Sequence, residues 1–212
     1  MRRVCEALEH SYGSPRLGNP RDPLDDLVYV ILSNKTSAAT AKNVFRQVKT
    51  RFPDWGDVLG TRIRALRSIL KPAGLSAVKS RQIYRALRKI SEDFGSCSLR
   101  ALRKAQRKDV QDYLTSLPGV SEKVAKCIMI YTLGFEVLPV DVHVHRICTR
   151  LGWTVRKRAD QCHEELEALV PSGRRFIFHV GCVAHGRTVC RPANPKCQSC
   201  VLSRYCDYYK SL

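Results

Sequence analysis

The sequence predicts an all-α protein. Apolar residues recur three or four positions apart in most segments, as expected of helices that each bury one face. No segment shows the alternation of apolar and polar residues that marks a half-buried strand, and no repeat with a period of roughly 20–50 residues is present. With 212 residues, of which 44% are hydrophobic, the chain can bury a substantial core in one large or two small domains.

Turn residues divide the first half of the chain into helices. Val4 and Leu8 predict a short helix, which is followed by a polar loop. Asp22-Pro23 predicts the start of a buried helix, because proline is favoured at the first helical position. That helix ends at the polar elbow Ser33–Ser37. Later apolar periods predict further helices at Ala38–Phe52, Ile63–Leu70, Ile83–Phe94 and, with Ser98 as the cap, Leu99–Leu102.

A helical hairpin is predicted around Leu117–Lys123, which reads Leu-Pro-Gly-Val-Ser-Glu-Lys. Pro and Gly in succession mark a tight turn, and the apolar residues on both sides have helical spacing. The first N–H groups of the second helix lack intrahelical partners and lie at the positive end of its dipole, so a phosphate fits there. Lys123 lies in that first turn, where positive charge is disfavoured. Burial would disfavour the charge further and leave a neutral, nucleophilic amine.

Asp141 follows Pro139-Val140 and precedes a stretch with Ile147 and Leu151 at helical spacing, so it is expected to be an N-cap. Two more helices are expected beyond it, one through Cys162–Leu169 and one from about Arg174. Taken singly, the turn, the lysine and the capping aspartate each have an ordinary structural explanation. Their combination at these separations is more specific.

The charge balance indicates a polyanionic partner. Lys and Arg number 37 against 19 Asp and Glu, a formal net charge of +18, which alone allows DNA, RNA or an acidic membrane. The N-terminal residues contain no apolar run of the kind found in signal peptides, and Leu27–Leu32 is too short to span a bilayer. We therefore expect an intracellular, cytoplasmic or nucleoid-associated protein without a disulfide framework.

Four cysteines near the C-terminus have the spacing of a metal site: Cys190, Cys197, Cys200 and Cys206, separated by six, two and five residues. Four thiolates suit either zinc or an iron–sulfur cluster, and ligand type alone does not separate the two. Arg191 and Lys196 lie in the first of these loops, where they either face a phosphate backbone or are simply solvated. The remaining cysteines are expected to be small buried hydrophobic residues: Cys5, Cys97, Cys127, Cys148, Cys162 and Cys182.

Together these motifs resemble the endonuclease III family of helix-hairpin-helix (HhH-GPD) DNA glycosylases. The family pattern is a Leu-Pro-Gly-Val-Gly hairpin, a lysine two residues later, a Val-Asp-x-His after the second helix, and this cysteine spacing. The chain matches it from about Pro23 to Cys206, except that Ser121 replaces the last hairpin glycine. The resemblance favours a [4Fe–4S] cluster on the four cysteines.

The resemblance implies two helical domains flanking a DNA-binding cleft. A six-helix barrel with the hairpin would span residues 23–135, and residues 1–22 with 136–212 would form the cluster-bearing domain. It also implies a base excision repair enzyme, a DNA glycosylase and AP lyase. Lys123 would attack C1′, displace the base and form a Schiff base, and β-elimination would nick the strand. Asp141 would stabilise the cationic sugar. Family members without this lysine use water and do not cut.

Residues that contact DNA are also implied by the resemblance. Leu75 matches the apolar wedge of the family, and Lys35 stands where the family has Gln, in a run that also lacks the family Asp. Both would fill or wedge the duplex where a base has left the stack. The remaining implied contacts come from the hairpin, from the second motif and from the cysteine-flanked loop: Gly119, Val120, Ser121, His143, Arg191 and Lys196.

The sequence determines the identity of the damaged base less well than any other feature of the predicted reaction. Lys123-Val124-Ala125 with Cys127-Ile128, and the residues around Asp141, resemble the 8-oxoguanine branch as much as the pyrimidine branch. The cysteine tail favours an oxidised pyrimidine, with 8-oxoguanine or a mismatched or modified pyrimidine as alternatives. Two other classes stay open, a non-catalytic DNA-binding module and a zinc-bound RNA-binding protein. We expect a monomer that acts on double-stranded DNA and does not associate with membranes.

Overall fold

The computed structural model describes residues 1–15 and 17–212, and this part of the chain is helical and contains no strand. The family resemblance and the apolar periodicity predicted this all-α class, and it is confirmed. The α-helices in this part are α1 (Arg2–Tyr12), α2 (Pro23–Ser33), α3 (Ala38–Arg51), α4 (Trp55–Leu59), α5 (Ile63–Leu70), α6 (Ser76–Phe94), α7 (Arg107–Ser116), α8 (Glu122–Ile128), α9 (Val142–Arg150), α10 (His163–Leu169), α11 (Arg175–Thr188) and α12 (Asp207–Lys210).

The helices pack into two compact units. The central unit is Gly18–Phe135 and contains α2 to α8. The terminal unit joins Met1–Leu17 to Glu136–Leu212 and contains α1 and α9 to α12. The first boundary therefore falls after Leu17, whereas the sequence placed it after residue 22.

Helix α2 is the core helix of the central unit. Asp22 caps it as expected, since one carboxylate oxygen accepts hydrogen bonds from the backbone N–H groups of Leu24 (3.0 Å) and Asp25 (3.4 Å). Except for Asp25, every residue from Pro23 to Leu32 is buried. Such a helix contacts neighbours on all sides, and α3, α6 and α8 pack around it. It thereby joins the elbow after Leu32 to the helical hairpin.

The core of the terminal unit is formed mainly by α1, α9 and α11, because both α1 and α9 pack on α11. Its buried apolar residues come from both ends of the chain, including Leu8 on α1, Ile147 on α9 and Phe178 on α11. The cysteine tail adds two buried residues, Leu202 and Cys206, and packs partly buried residues against the cluster: Cys190, Cys200, Tyr205, Tyr208 and Tyr209. The tail itself contains short 3₁₀ turns and α12, and none of these elements has a fully buried face.

Several local features differ from the sequence predictions. The short helix α4 was not predicted, because a five-residue helix shows too little periodicity. The helix expected after Ser98 is a 3₁₀ helix, Arg100–Lys104, although the Ser98 hydroxyl does accept a bond from the Arg100 N–H (3.3 Å). Cys97 is half-exposed rather than buried, whereas the other five non-motif cysteines are buried.

No helix in the described part of the chain is long and apolar enough to cross a bilayer.

Candidate functional site

The predicted hairpin joins α7 to α8 through a tight turn. The N–H of Val120 donates to the carbonyl oxygen of Leu117 (3.1 Å), and Gly119 between them has a φ of 84°. Ser121, which replaces the family glycine, is the N-cap of α8 and accepts from the N–H of Val124 (3.4 Å). The serine side chain therefore has a structural use here, and the residue is exposed.

Gly119 is required by its surroundings as well as by its backbone angle. A Cβ atom at this position would lie 2.6 Å from Cδ of Gln82, a residue of α6. The left-handed φ would also strain any L-residue with a side chain. The hairpin therefore rests directly on α6.

Lys123 lies in the first turn of α8 and is half-buried. α8 packs against α2. Within this unit Lys123 interacts electrostatically with Asp26, a fully buried carboxyl group on α2. The nucleophile candidate is therefore next to a buried acid that the sequence analysis did not single out.

The carboxyl group of Asp26 accepts one hydrogen bond from the described residues. Its Oδ1 accepts from the Asn19 amide (2.6 Å), and its Oδ2 has no hydrogen-bond partner among the described residues. Burial raises the pKa of Asp26 to about 7, while the Asn19 hydrogen bond and the positive charge of Lys123 act in the opposite direction. A carboxyl group in an otherwise apolar helix was the sequence signal that could have identified it.

Asp141 lies in the terminal unit and caps α9, as the sequence predicted. Its Oδ1 accepts from the backbone N–H groups of His143 (2.9 Å) and Val144 (2.8 Å). The side chain is half-buried, so its carboxylate is held in a fixed orientation at a helix N-terminus. Both bonds use one oxygen atom, so the cap determines where the second oxygen points.

His143 is packed between α9 and α11. Its Nδ1 lies 3.1 Å from Nη2 of Arg146, which in turn donates to the carbonyl oxygen of Gly186 (3.0 Å). A Cβ on Gly186 would approach His143 Nδ1 to 2.5 Å, so glycine allows the two helices to come this close. Burial lowers the pKa of His143, and nearby Arg146 and Arg187 lower it further, whereas Asp141 raises it. The neutral ring is therefore favoured.

The two candidate wedge residues share an unusual backbone. Lys35 and Leu75 have φ values of 54° and 49°, both in the left-handed region that non-glycine residues rarely adopt. Leu75 is 57% exposed, and Lys35 is also exposed. Such strain, of order 1–3 kcal/mol per residue, persists only where the surrounding structure imposes it, and it concentrates at functional sites.

Lys79 is part of the structure that surrounds Lys35 and Leu75, and the sequence analysis did not identify this residue. The residue belongs to α6, is only 3% exposed, and donates to Leu32 O (2.8 Å), Thr36 Oγ1 (2.6 Å) and Ala73 O (2.8 Å). Lys79 lies one turn before Ile83 on the apolar face of α6, and this position was the sequence signal that could have identified it as a buried lysine.

The four motif cysteines line one recess in the terminal unit, together with Arg150 and Tyr208. Within residues 1–15 and 17–212, however, no three His, Cys, Asp or Glu side chains converge tightly enough to hold a single metal ion. The thiols are therefore arranged around a space rather than at a point. Burial raises the pKa of Cys200 and Cys206, so these thiolates need a positive partner in order to form.

Two residues of the folded core support this recess. Arg150 donates to Cys190 Sγ (3.1 Å), to Arg191 O (2.9 Å) and to Pro192 O (3.1 Å). His185 Nε2 lies 3.4 Å from Cys200 Sγ, and its Nδ1 lies 2.8 Å from the Tyr12 hydroxyl. Burial, with a further contribution from Arg146, lowers the pKa of His185 to about 4, so the ring is neutral. If Cys200 is a thiolate, Nε2 must donate to it and Tyr12 must donate to Nδ1.

The loop between Cys190 and Cys197 presents Arg191 and Lys196, both exposed. It is tied back where the N–H of Lys196 donates to Val189 O (3.0 Å). Asn194 in this loop has a φ of 48°, and its carbonyl oxygen accepts from Arg191 (3.3 Å). Left-handed non-glycine residues in the described chain thus fall in three segments, each predicted to contact DNA.

A family model for the HhH-GPD superfamily of base excision DNA repair proteins matches residues 28–172, which is more than half of the chain. The chain belongs to this superfamily. The matched range includes the hairpin, Lys123 and Asp141. Membership makes the protein a DNA glycosylase of base excision repair, as its motifs predicted.

Similar proteins support the endonuclease III branch. The endonuclease III of Thermotoga maritima is 26% identical over 196 residues, covering 92% of this chain and 88% of that protein. The thymine/uracil-DNA glycosylase of Methanothermobacter thermautotrophicus is 27% identical over 194 residues, covering 90% and 84%.

Solved structures share the fold over nearly the whole chain. A non-covalent endonuclease III–DNA complex superimposes with a TM-score of 0.84 at 24% identity, covering 99% of this chain and 95% of that one. A thermostable thymine-DNA glycosylase superimposes with a TM-score of 0.86 at 23% identity, covering 100% and 97%. At this identity the likeness concerns the fold alone.

The predicted site residues separate by unit. The central unit holds Lys35, Leu75, the hairpin Gly119–Ser121 and Lys123, and it adds Asp26 and Lys79. The terminal unit holds Asp141, His143, the two cluster-loop cations and the four cysteines.

Proposed function

We propose that this HhH-GPD protein is a bifunctional DNA glycosylase and AP lyase that acts on a damaged pyrimidine in double-stranded DNA. The observation that carries the proposal is Lys123, a half-buried lysine in the first turn after the hairpin. The amine is the one group here that converts base removal into a covalent reaction. The enzyme extrudes the target nucleotide from the stack before reacting with it.

In the proposed reaction the neutral Lys123 amine forms a bond to C1′ while the bond from C1′ to the base breaks. The base leaves with the bonding electrons and is protonated. Opening of the sugar ring yields a Schiff base between Nζ and C1′. Loss of a proton from C2′ then expels the 3′ phosphate by β-elimination, and water hydrolyses the Schiff base to release the lysine.

Asp141 is proposed as the carboxylate that stabilises the positive charge of the sugar as the base departs. A fixed negative charge is effective in this role because it needs no reorganisation at the moment of reaction. The two N–H bonds that Asp141 accepts as N-cap of α9 support the role, since they immobilise the group.

We propose that DNA is held by the exposed elements described above. Within the hairpin, the backbone N–H groups of Gly119 and Ser121 would contact a phosphate, while the N–H of Val120 donates to Leu117 O and holds the turn in shape. Arg191 and Lys196 would contact other phosphates, and His143 would lie near the DNA beside Asp141. Lys35 and Leu75 would enter the duplex. The net charge of +18 supports strong phosphate contact, so affinity should fall steeply as the salt concentration rises.

We propose that Cys190, Cys197, Cys200 and Cys206 hold a [4Fe–4S] cluster. Thiols that surround a recess without converging on one point suit a cluster bound at its periphery better than a single zinc ion. Bound there, the group supplies cross-links to a tail that has little core of its own. Purified protein should be brown and contain iron and sulfide. A colourless protein that contains zinc would contradict the assignment.

The proposed substrate is an oxidised pyrimidine. A mismatched thymine or a uracil is the second candidate, because a relative that spans 90% of this chain is named a thymine/uracil-DNA glycosylase. The two are separated by duplexes that contain thymine glycol, uracil opposite guanine or thymine opposite guanine. Base release is measured as strand scission after alkali treatment, with 8-oxoguanine as the remaining comparison.

The decisive experiment is borohydride trapping on a duplex with one abasic site. We expect wild type to form a covalent protein–DNA adduct and Lys123→Gln to form none while still binding the duplex. Asp141→Asn should lose base removal by about 10²-fold or more. If wild type forms no adduct on the abasic duplex but releases a base from one of the damaged-base duplexes, the protein is a monofunctional glycosylase. If it does neither, the non-catalytic module is the correct class.

A further inference from the structure

Lys79 is a buried cation whose hydrogen-bonding capacity is completely used. An ammonium group has three N–H donors, and Leu32 O, Thr36 Oγ1 and Ala73 O accept one bond each. All three acceptors are neutral oxygens. Burial lowers the pKa of Lys79, because the ammonium has lost its hydration, and the three hydrogen bonds take the place of the lost water.

These acceptors belong to different segments of the central unit. Leu32 O is among the last carbonyls of α2, which lack intrahelical partners and lie at the negative end of the dipole. Thr36 is the residue after Lys35, and Ala73 lies two residues before Leu75. The Thr36 hydroxyl also donates to Ala73 O (2.6 Å), so the two segments are bonded to each other as well as to the ammonium.

Within the central unit, the segments joined in this way are the two that carry a left-handed, exposed, non-glycine residue. Lys35 and Leu75 have no reason to retain strained backbone angles unless the surrounding structure holds them. Lys79 supplies that restraint from the protein interior. Leu75 is the N-cap residue of α6, the helix to which Lys79 belongs. The bonds from an ammonium to carbonyl oxygens are charge-assisted and therefore stronger than neutral ones.

We propose that Lys79 is a positioning residue that locks the loop carrying Lys35 to the loop carrying Leu75, so that both side chains enter a DNA duplex as one rigid wedge. This inference rests on the proposed function in one respect, that DNA is what the two residues enter. A preformed wedge avoids the entropic cost of ordering two loops on binding.

The test measures opening of the duplex and requires no chemistry. The probe is a duplex with a tetrahydrofuran abasic-site analogue and 2-aminopurine in the opposite strand, where an inserted side chain unstacks the fluorescent base. Wild type should raise its fluorescence at saturating protein. Lys79→Met keeps the length of the side chain and removes the ammonium, and it should reduce this change by about tenfold, as expected for residues that act together.

A double-mutant cycle separates positioning from general stability. Leu75→Ala should reduce the fluorescence change in the wild-type background and have less than about a twofold further effect in Lys79→Met, because the wedge is already displaced. Val48→Ala, a cavity variant in the buried face of α3, is the matched control for lost stability and should leave the fluorescence change intact. Independent, multiplicative effects of Lys79→Met and Leu75→Ala would overturn the proposal.

Thr36→Val provides a second route if Lys79→Met folds poorly. It removes the hydroxyl that links the two loops and leaves the ammonium in place, so a smaller loss that is again non-additive with Leu75→Ala is expected. A wild-type fluorescence change in both Lys79→Met and Thr36→Val would contradict the proposed role of Lys79. The absence of any fluorescence change with wild-type protein would show that Lys35 and Leu75 do not open the duplex, and would contradict the proposal as well. Borohydride trapping reports independently on the lyase, so failure of the proposed chemistry is seen separately from failure of the wedge.

Discussion

The central unit and the cysteine tail of the terminal unit hold their candidate DNA contacts by different means. In the central unit the two wedge loops are bonded to a buried ammonium, and the hairpin rests on α6. The supporting residues there belong to helices with large buried faces. In the tail, Arg191 and Lys196 lie on a loop between α11 and a short 3₁₀ turn, and side-chain hydrogen bonds from Arg146 and Arg150 tie this loop to α9.

This difference concerns how much each region relies on a buried core. A segment that belongs to a hydrophobic core is positioned by packing alone. The tail contributes two buried residues, Leu202 and Cys206, and otherwise only partly buried ones, so the proposed cluster would add the cross-links that small domains obtain from disulfides or metals. The predictions that follow test this contrast, from the largest expected effect to the smallest.

Loss of one cysteine ligand should disorder the tail and spare the central unit. If the four thiolates hold a cluster, Cys200→Ser removes its support, and amide hydrogen exchange in residues 190–210 should become nearly unprotected. The amides of α2 and α6 should exchange at wild-type rates. Cys97→Ser, a half-exposed cysteine of the central unit, is the control and should change neither region. Wild-type protection in the Cys200→Ser tail would mean that packing alone is sufficient there.

The buried carboxyl of Asp26 should make the central unit less stable as the pH rises. Its pKa is about 7 in the folded protein and near 3.8 when exposed, so the folded state binds the extra proton between these values. The free energy of unfolding therefore falls from about pH 4 to about pH 7, by about 1.4 kcal/mol per unit of pKa difference. Asp26→Asn should flatten this part of the profile and be the more stable form at pH 8.

Urea unfolding at several pH values, monitored by signals from the central unit, measures the effect of Asp26. Asp112→Asn, at an exposed aspartate of α7, is the control and should follow the wild-type profile. Asp26 also interacts with Lys123. Near neutral pH, the pH dependence of the lyase rate should therefore differ between Asp26→Asn and wild type. Parallel stability profiles for wild type and Asp26→Asn would show that the carboxyl does not titrate in this range.

A methyl group added at Gly119 should have the smallest effect on stability of the changes proposed, and it should clearly weaken binding to duplex DNA. Gly119→Ala places a Cβ at a left-handed φ and against Gln82, which should cost about 1–2 kcal/mol and displace the turn. Gly95→Ala is closely matched, with a φ of 69° but nothing within 4 Å of the new Cβ. Equal duplex affinity for the two variants would mean that the turn does not contact DNA.

Local sequence patterns were sufficient for the features that depend on neighbouring residues. The helix start at Asp22-Pro23, the hairpin turn and the Asp141 cap were all predicted, because capping and turn formation require residues at fixed short separations. The family followed from the spacing of the hairpin, Lys123, Asp141 and the four cysteines. Ser121 shows the limit of this approach, since its capping bond to α8 became visible only in the structure.

The features that arise from packing between distant segments could not be predicted. Lys79 joins residues 47 and 43 positions away in the chain, and Asp26 acquires its raised pKa from burial and from a lysine on another helix. The sequence by itself determined the all-α class, the superfamily and the candidate reactive residues. Only the tertiary structure decided the support of the wedge loops and the environment of Asp26, because desolvation and buried hydrogen bonds depend on which helices meet.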